Sequence, residues 1–246
     1  MKRITLLAIA LGISFTSSAQ ETPKKEKENI FELQAKGLAN STWLFNTNIS
    51  NTGESQDYAM GWGFNYGLGF SAYFGMVGFG LEGLMGNHTG AYEGKLEMRD
   101  TAGVLLGKTD YKSSVNLKTT QIPLMFKLRS VGGAYLELGG QYNMISGADY
   151  KRTGNNINAD TTVANYFSDS YISGVFGFGA GIAIKESPVS ILVGVRFNYS
   201  LTDLKGVDAL GQDLSNAFIY NKYEPTAAAS GGLTLGVIYR LNHKKK

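Results

Sequence analysis

Seven charged side chains stand where a strand pattern would hide them from water: Glu32, Lys36, Glu82, Lys127, Glu137, Arg196 and Arg240. Each falls in phase with the small or polar side of a stretch whose other side is apolar. Unpaired buried charge is prohibitive, so such groups must neutralise one another. Two kinds of chemistry are open to them, a plug of ion pairs that stiffens the interior or a thin, gated path for ions. Lys127 and Glu137 flank a short link and share a face, so they should pair across neighbouring strands. Glu82 and Arg196 fall at similar heights on strands that would oppose each other in a ring of eight. Glu32, Lys36 and Arg240 add charge at the lower end.

Catalytic chemistry has less to work with. The two histidines are His88 and His243, the latter in a basic tail. His88 follows the phase of Glu82 and Gly86 and would lie near a rim, with Glu93 and Asp110 nearby as possible partners for a general base. No nucleophile stands at a matching spacing, so the expectation is no enzyme and no catalytic residue. "GFGLEG" (78–83) matches G-x-G-x-x-G but lies inside a strand with no helix after it, so no dinucleotide cofactor is expected. Loop carboxylates such as Asp160 and Asp169 are too scattered for a calcium site, and no metal is expected.

The elements that position these charges are strands. In residues 60–74 the even positions are Met60, Trp62, Phe64, Tyr66, Leu68, Phe70, Ala72 and Phe74, and the odd ones are glycines, Asn65, Ser71 and Tyr73. Period two with one greasy face is a strand. At about 15 residues it is far longer than the usual strand of roughly five or six. The pattern recurs from 77, over 134–144 and over 189–201, and similar readings hold for 31–46, 115–129, 171–184 and 227–241. Links at 75–76, 130–133 and 185–188 are tight, whereas those at about 47–58, 96–112, 148–170 and 202–225 are long and polar. An even number of long strands with short turns at one end and long loops at the other is the layout of a transmembrane β-barrel. Closure is required because lipid cannot satisfy an open strand edge. The expected fold is therefore all-β, an eight-stranded antiparallel up-and-down transmembrane barrel with short periplasmic turns and four longer extracellular loops. Its greasy face meets lipid, and its glycine face leaves room in a narrow lumen. An interior of eight strands is just filled by side chains, which excludes a wide pore.

Outward aromatics gather at both ends of the strands. Trp43, Phe45, Trp62, Phe64, Tyr142, Phe197 and Tyr199 lie near the long loops, and Phe31, Phe74 and Tyr239 near the short turns, as two interfacial girdles would require. One strand breaks the pattern. Its apolar phase passes from Val115 and Leu117 to Ile122, Leu124, Phe126 and Leu128, and it carries Pro123. A β-bulge between Lys118 and Gln121 would shift the phase and accommodate the proline.

The ends and the composition set the compartment. Met1-Lys2-Arg3, an apolar run from Ile4 to Phe15 and small residues at Ser17 and Ala19 read as a secretory signal peptide over 1–19. Residues 20–30 then form a periplasmic segment, 31–241 the barrel and 242–246 a basic periplasmic tail. Removing Lys2 and Arg3 leaves 23 − 2 = 21 basic against 20 acidic residues, so the basic pI implies no nucleic-acid partner. With no cysteine, the exported chain does not depend on disulfides.

Two stretches carry a family resemblance. "TQIPLMFKL" (120–128) with "GGAYLELGGQYNM" (132–144), and "VRFNYSLTDL" (195–204), resemble the PorT-like outer-membrane β-barrel family of the porin grouping. The last strand, "TLGVIYRL", resembles the signal read by the barrel assembly machinery, with Thr234, Gly236, Tyr239 and Leu241 in its fixed positions; "NHKKK" follows where that signal commonly ends. The resemblance implies an eight-stranded outer-membrane barrel, and a branch of the family serves in type IX secretion. It implies no activity. The expected function is an envelope-structural or loop-mediated interaction role in contact with membrane lipid, lipopolysaccharide and envelope or secretion proteins. The alternatives are a narrow channel, a secretion component or, least favoured, a barrel enzyme. Asn155, Asn156, Asp160, Asp208 and Tyr220, in the two longest loops, are the expected binding residues.

Overall fold

The computed structural model describes residues 29–154 and 158–242. The expected signal peptide, most of the segment after it, Asn155, Asn156 and the tail from His243 lie outside the described residues. Ten antiparallel strands are present among the described residues: β1 (Asn29–Phe45), β2 (Asp57–Ala59), β3 (Gly61–Phe74), β4 (Val77–Arg99), β5 (Leu105–Arg129), β6 (Ala134–Gly154), β7 (Ala159–Thr162), β8 (Ser170–Ala183), β9 (Val189–Ser200) and β10 (Ala227–Arg240). A four-residue helix, α1 (Thr47–Ser50), follows β1.

Hydrogen bonds run β1–β3–β4–β5–β6–β8–β9–β10 and back to β1, so eight strands close a ring with each pairing to its neighbour along the chain. The short β2 and β7 add to β4 and β6 at the loop end. The ring has no free edge at its middle, which is the condition for crossing lipid by strands.

Side-chain exposure shows which solvent each face was written for. Around the lower wall the outward residues are large, apolar and exposed, among them Trp62, Leu68, Phe79, Leu124, Leu138, Ile191 and Leu235. The inward residues are mostly glycine or buried polar groups, with a few buried apolar ones such as Leu38, Leu84 and Met125. Above this band the polarity reverses. On β5 the outward residues become Ser114, Asn116 and Lys118, and the inward ones are Tyr111, Val115 and Leu117, the last two wholly buried.

This reversal corrects the expected bulge. Odd residues of β5 face inward without interruption from Thr109 to Lys127, so Val115 and Leu117 point into the barrel and β5 never slips. The apolar residues change sides because the surroundings change from lipid to water. A bulge does exist at that height, but in the partner strand. Lys118 pairs with Gly147 and Thr119 with Ile145, leaving Ser146 as the extra residue of β6. Pro123 sits on unbulged strand, and the β4–β5 pairing skips there, from Leu81↔Leu124 to Leu84↔Gln121.

The long links are also more ordered than expected. Most of 96–112 is a continuous β4–β5 hairpin, paired to Arg99↔Leu105, and β6 continues to Gly154. Its outward face sets opposite charges in register, Glu93↔Lys112, Lys95↔Asp110 and Glu97↔Lys108, and Lys95 and Lys108 both reach Glu54, at 3.7 and 3.8 Å, as suits a hairpin standing in water.

Candidate functional site: the filled lumen

Glycines make the lumen habitable for long charged side chains. Arg196 stands between Gly177 of β8 and Gly232 of β10, and Lys36 between Gly67 of β3 and Gly236 of β10. Glu82 pairs with Gly69, and Glu137 with Gly177. A Cβ on Gly80 would lie 2.6 Å from Lys127 Cε, and one on Gly177 would lie 2.7 Å from Glu137 Oε1. Lys36, Glu82, Lys127 and Glu137 each lie against a neighbouring glycine, so the glycine face makes room for the charges.

The charges meet at the axis. Glu82 Oε1 accepts from Lys36 Nζ at 2.6 Å, and Glu82 Oε2 accepts from Arg196 Nη1 at 2.8 Å. Arg196 also donates from Nε to Glu137 Oε1 at 2.8 Å. Lys127 Nζ stands 3.6 Å from both Glu82 and Glu137, close enough for attraction but too long for a hydrogen bond. All five side chains are at most 3% exposed. Lower down, Glu32 accepts from Arg129 Nη1 and has Arg240 at 4.0 Å, while Arg129 lies over the ring of Tyr73. Sequence reading missed Arg129; its inward odd phase, shared with Lys127, was the available signal. Tyr135, Leu192 and Ile238 form a small apolar floor.

Above the charges lies a polar layer. Gln121 Nε2 donates to Asn65 Oδ1 at 3.2 Å, and Asn143 Nδ2 donates to Ser173 Oγ at 2.8 Å. His88 belongs here rather than at a rim. It is buried, with Nε2 3.0 Å from the Trp43 carbonyl oxygen. Because a carbonyl only accepts, Nε2 carries the proton and the ring serves as a donor. Glu93 and Asp110 are on the outward face and exposed, so neither accompanies it.

The top is sealed by the chain between β9 and β10. Leu204, Val207, Ala209 and Leu214 are buried against Leu44, Tyr92, Val115, Leu117 and Tyr150. Asp208 is the hub of this cap and is fully buried. Its Oδ1 accepts from the amides of Leu210 and Gln212, both at 2.8 Å, and its Oδ2 from Gln56 Nε2 at 3.1 Å and the Tyr220 hydroxyl at 2.6 Å. Asp208, expected at the surface, is instead buried within the loop, while Tyr220 is half-buried with its hydroxyl turned to Asp208. Asp160 is exposed and pairs with Lys151 at 3.2 Å.

The outer surface completes the description. Phe45, Trp62, Phe64, Phe74, Tyr142, Phe197, Tyr199 and Tyr239 are exposed, whereas Trp43 and Phe31 are partly covered and stack on Phe45 and Phe70. In the last strand Thr234 is buried in the lumen, a Cβ on Gly236 would come within 3.0 Å of Lys36 Cβ, and Tyr239 and Leu241 are exposed outside. Among the described residues no group of three or more histidine or acidic side chains could hold a metal ion.

A closed strand ring with an apolar outer band and a filled interior defines an outer-membrane β-barrel. Residues 8–206 match the family described as the outer membrane protein beta-barrel domain, and the chain belongs to that family. No curated protein sequence matches it. Solved structures similar to it include Neisserial surface protein A (13% identity, 85% of this chain and 96% of that one, TM-score 0.37). They also include Ail of Yersinia pestis (12%, 85% and 98%, TM-score 0.37) and OprG of Pseudomonas aeruginosa (14%, 89% and 98%, TM-score 0.37). Likenesses this loose carry nothing about function.

Proposed function

We propose that this protein is a non-enzymatic, non-conducting barrel of the outer membrane that holds a folded cap outside the bilayer for an envelope-structural or interaction role. The observation that carries this reading is the double filling of the lumen. Five ionic side chains close the axis within the bilayer, and an apolar core closes it again above. A narrow ion path would have to pass both. In this reading the termini and short turns face the periplasm after removal of the signal peptide. The last strand engages the assembly machinery, and the cap meets lipopolysaccharide or an envelope or secretion partner. The PorT-like resemblance of 120–144 and 195–204 belongs to the same proposal.

Conductance tests it. Purified barrel inserted in planar bilayers is expected to give no discrete current steps above leak. Steps that change size in Glu82→Ala or Arg196→Ala would replace this reading with the channel.

A further inference from the structure

At the loop end the backbone ladder between β9 and β10 stops, and a side-chain bond takes over, the Ala228 amide donating to Ser200 Oγ at 2.8 Å. The β9–β10 pairing ends at Tyr199↔Ala229, although β10 stays paired to β1 as far as Phe45↔Ala227. Beyond Tyr199 the β9 chain leans toward β8, where the Leu201 amide donates to the Ile172 carbonyl at 2.7 Å. A wedge-shaped groove of about 490 Å³ is left on the outer surface. Its frame is fixed. The Thr226 amide donates to Asp203 Oδ1 at 2.8 Å, and Asn46 Nδ2 donates to the Glu224 carbonyl at 2.7 Å.

The groove changes character along its length. At the bilayer end its walls are Phe45, Tyr199 and Leu201, all exposed, with the small Ala227 as floor. At the water end it is lined by the hydroxyl-bearing Thr47, Ser50 and Thr202. Asp203 is the one charged side chain in its lining, and no lysine or arginine contributes. Phe45 and Tyr199 stand in the aromatic girdle, so this surface is covered by the membrane itself. An apolar slot ending in hydroxyls matches a molecule that is oily at one end and hydrogen-bonding at the other. A lining with one carboxylate and no lysine or arginine disfavours a phosphate head.

We propose that this groove holds one acyl chain of a membrane amphiphile whose head is uncharged and rich in hydroxyls. The chain lies on Ala227 between Phe45 and Tyr199, and the head reaches Thr47, Ser50 and Thr202. The inference depends on the outer-membrane placement and not on the proposed role of the cap.

Native mass spectrometry of the full barrel released from a polyether detergent tests it, with dodecyl maltoside and dodecylphosphocholine as probes. The expected result is one retained maltoside and little retained phosphocholine. Ala227→Trp, which fills the floor, should lower maltoside retention roughly tenfold, the effect of about two fewer buried methylenes. Ala35→Trp, an outward change lower on β1, should leave it unchanged. If Ala227→Trp fails to give a folded barrel, Leu201→Ser, at the strand end, serves in its place. Equal retention of both probes would overturn the head-group assignment. Retention that neither groove variant lowers would mean an adventitious additive only, and absence of any retained maltoside would overturn the site.

Discussion

Glu82 holds two bases at once, Lys36 on one oxygen and Arg196 on both, in a place water does not reach. Removing one partner of a buried pair leaves the other uncompensated, typically at a cost of about 3–5 kcal/mol. Glu82→Ala should therefore lower barrel stability by about that amount, read as a shift of the urea midpoint in detergent; a loss below about 1 kcal/mol would mean the cluster is not desolvated. Tyr220 offers a titration test in the water-exposed cap. Burial, and then its hydrogen bond to Asp208, push the phenol above its ordinary value. The folded cap thus favours the neutral phenol. Its contribution is fully present below the unfolded value of about 10 and is lost as pH rises past it. Protease resistance of the cap should fall above about pH 10, and Tyr220→Phe should weaken that dependence without abolishing it, because burial also raises Tyr92 and Tyr111 in the same core.

At the scale of elements, β5 shows what a sequence pattern records. Its lower half was legible because alternation plus length has one physical meaning when the outer face is lipid. Its upper half was misread because apolar residues mark whatever face is dry, and above the bilayer that face is the inside. A change of solvent and a bulge leave the same signature in one strand. Only pairing tells them apart, and pairing puts the extra residue at Ser146. Deleting Ser146 should turn the bulge into regular pairing and leave Ala148 and Tyr150 inward, opposite Leu117 and Val115. The expected outcome is a folded barrel in detergent with the segment 202–226 still resistant to protease. Cleavage within 202–226 in the deletion, with the lower barrel intact, would show that Ser146 is not the extra residue. The Lys127–Glu137 and Glu82–Arg196 contacts could be read from strand phase and ring geometry. The burial of Asp208 could not, because its partner Gln56 and the strand residues that cover it are far away in sequence.

The whole molecule is two solvents' worth of folding in one cylinder, inside-out in the bilayer and conventional above it. The boundary follows the outward apolar residues, ending on β4 at Met85 and on β5 at Ile122. Above it, a cap core of sixteen buried residues stands on a lumen closed by salt bridges. This division explains why the loops are ordered enough to present a fixed surface. Because the chain has no cysteine, single cysteines can report on each position without background. The most direct test is a scan along β5 in lipid vesicles, with a fluorescent label at each position and one quencher dissolved in lipid, another in water. Labels at 122, 124, 126 and 128 are expected to be quenched from lipid, that at 118 from water, and that at 117 from neither. Lipid quenching at 117, or water quenching along 122–128, would contradict the inversion on which the account rests.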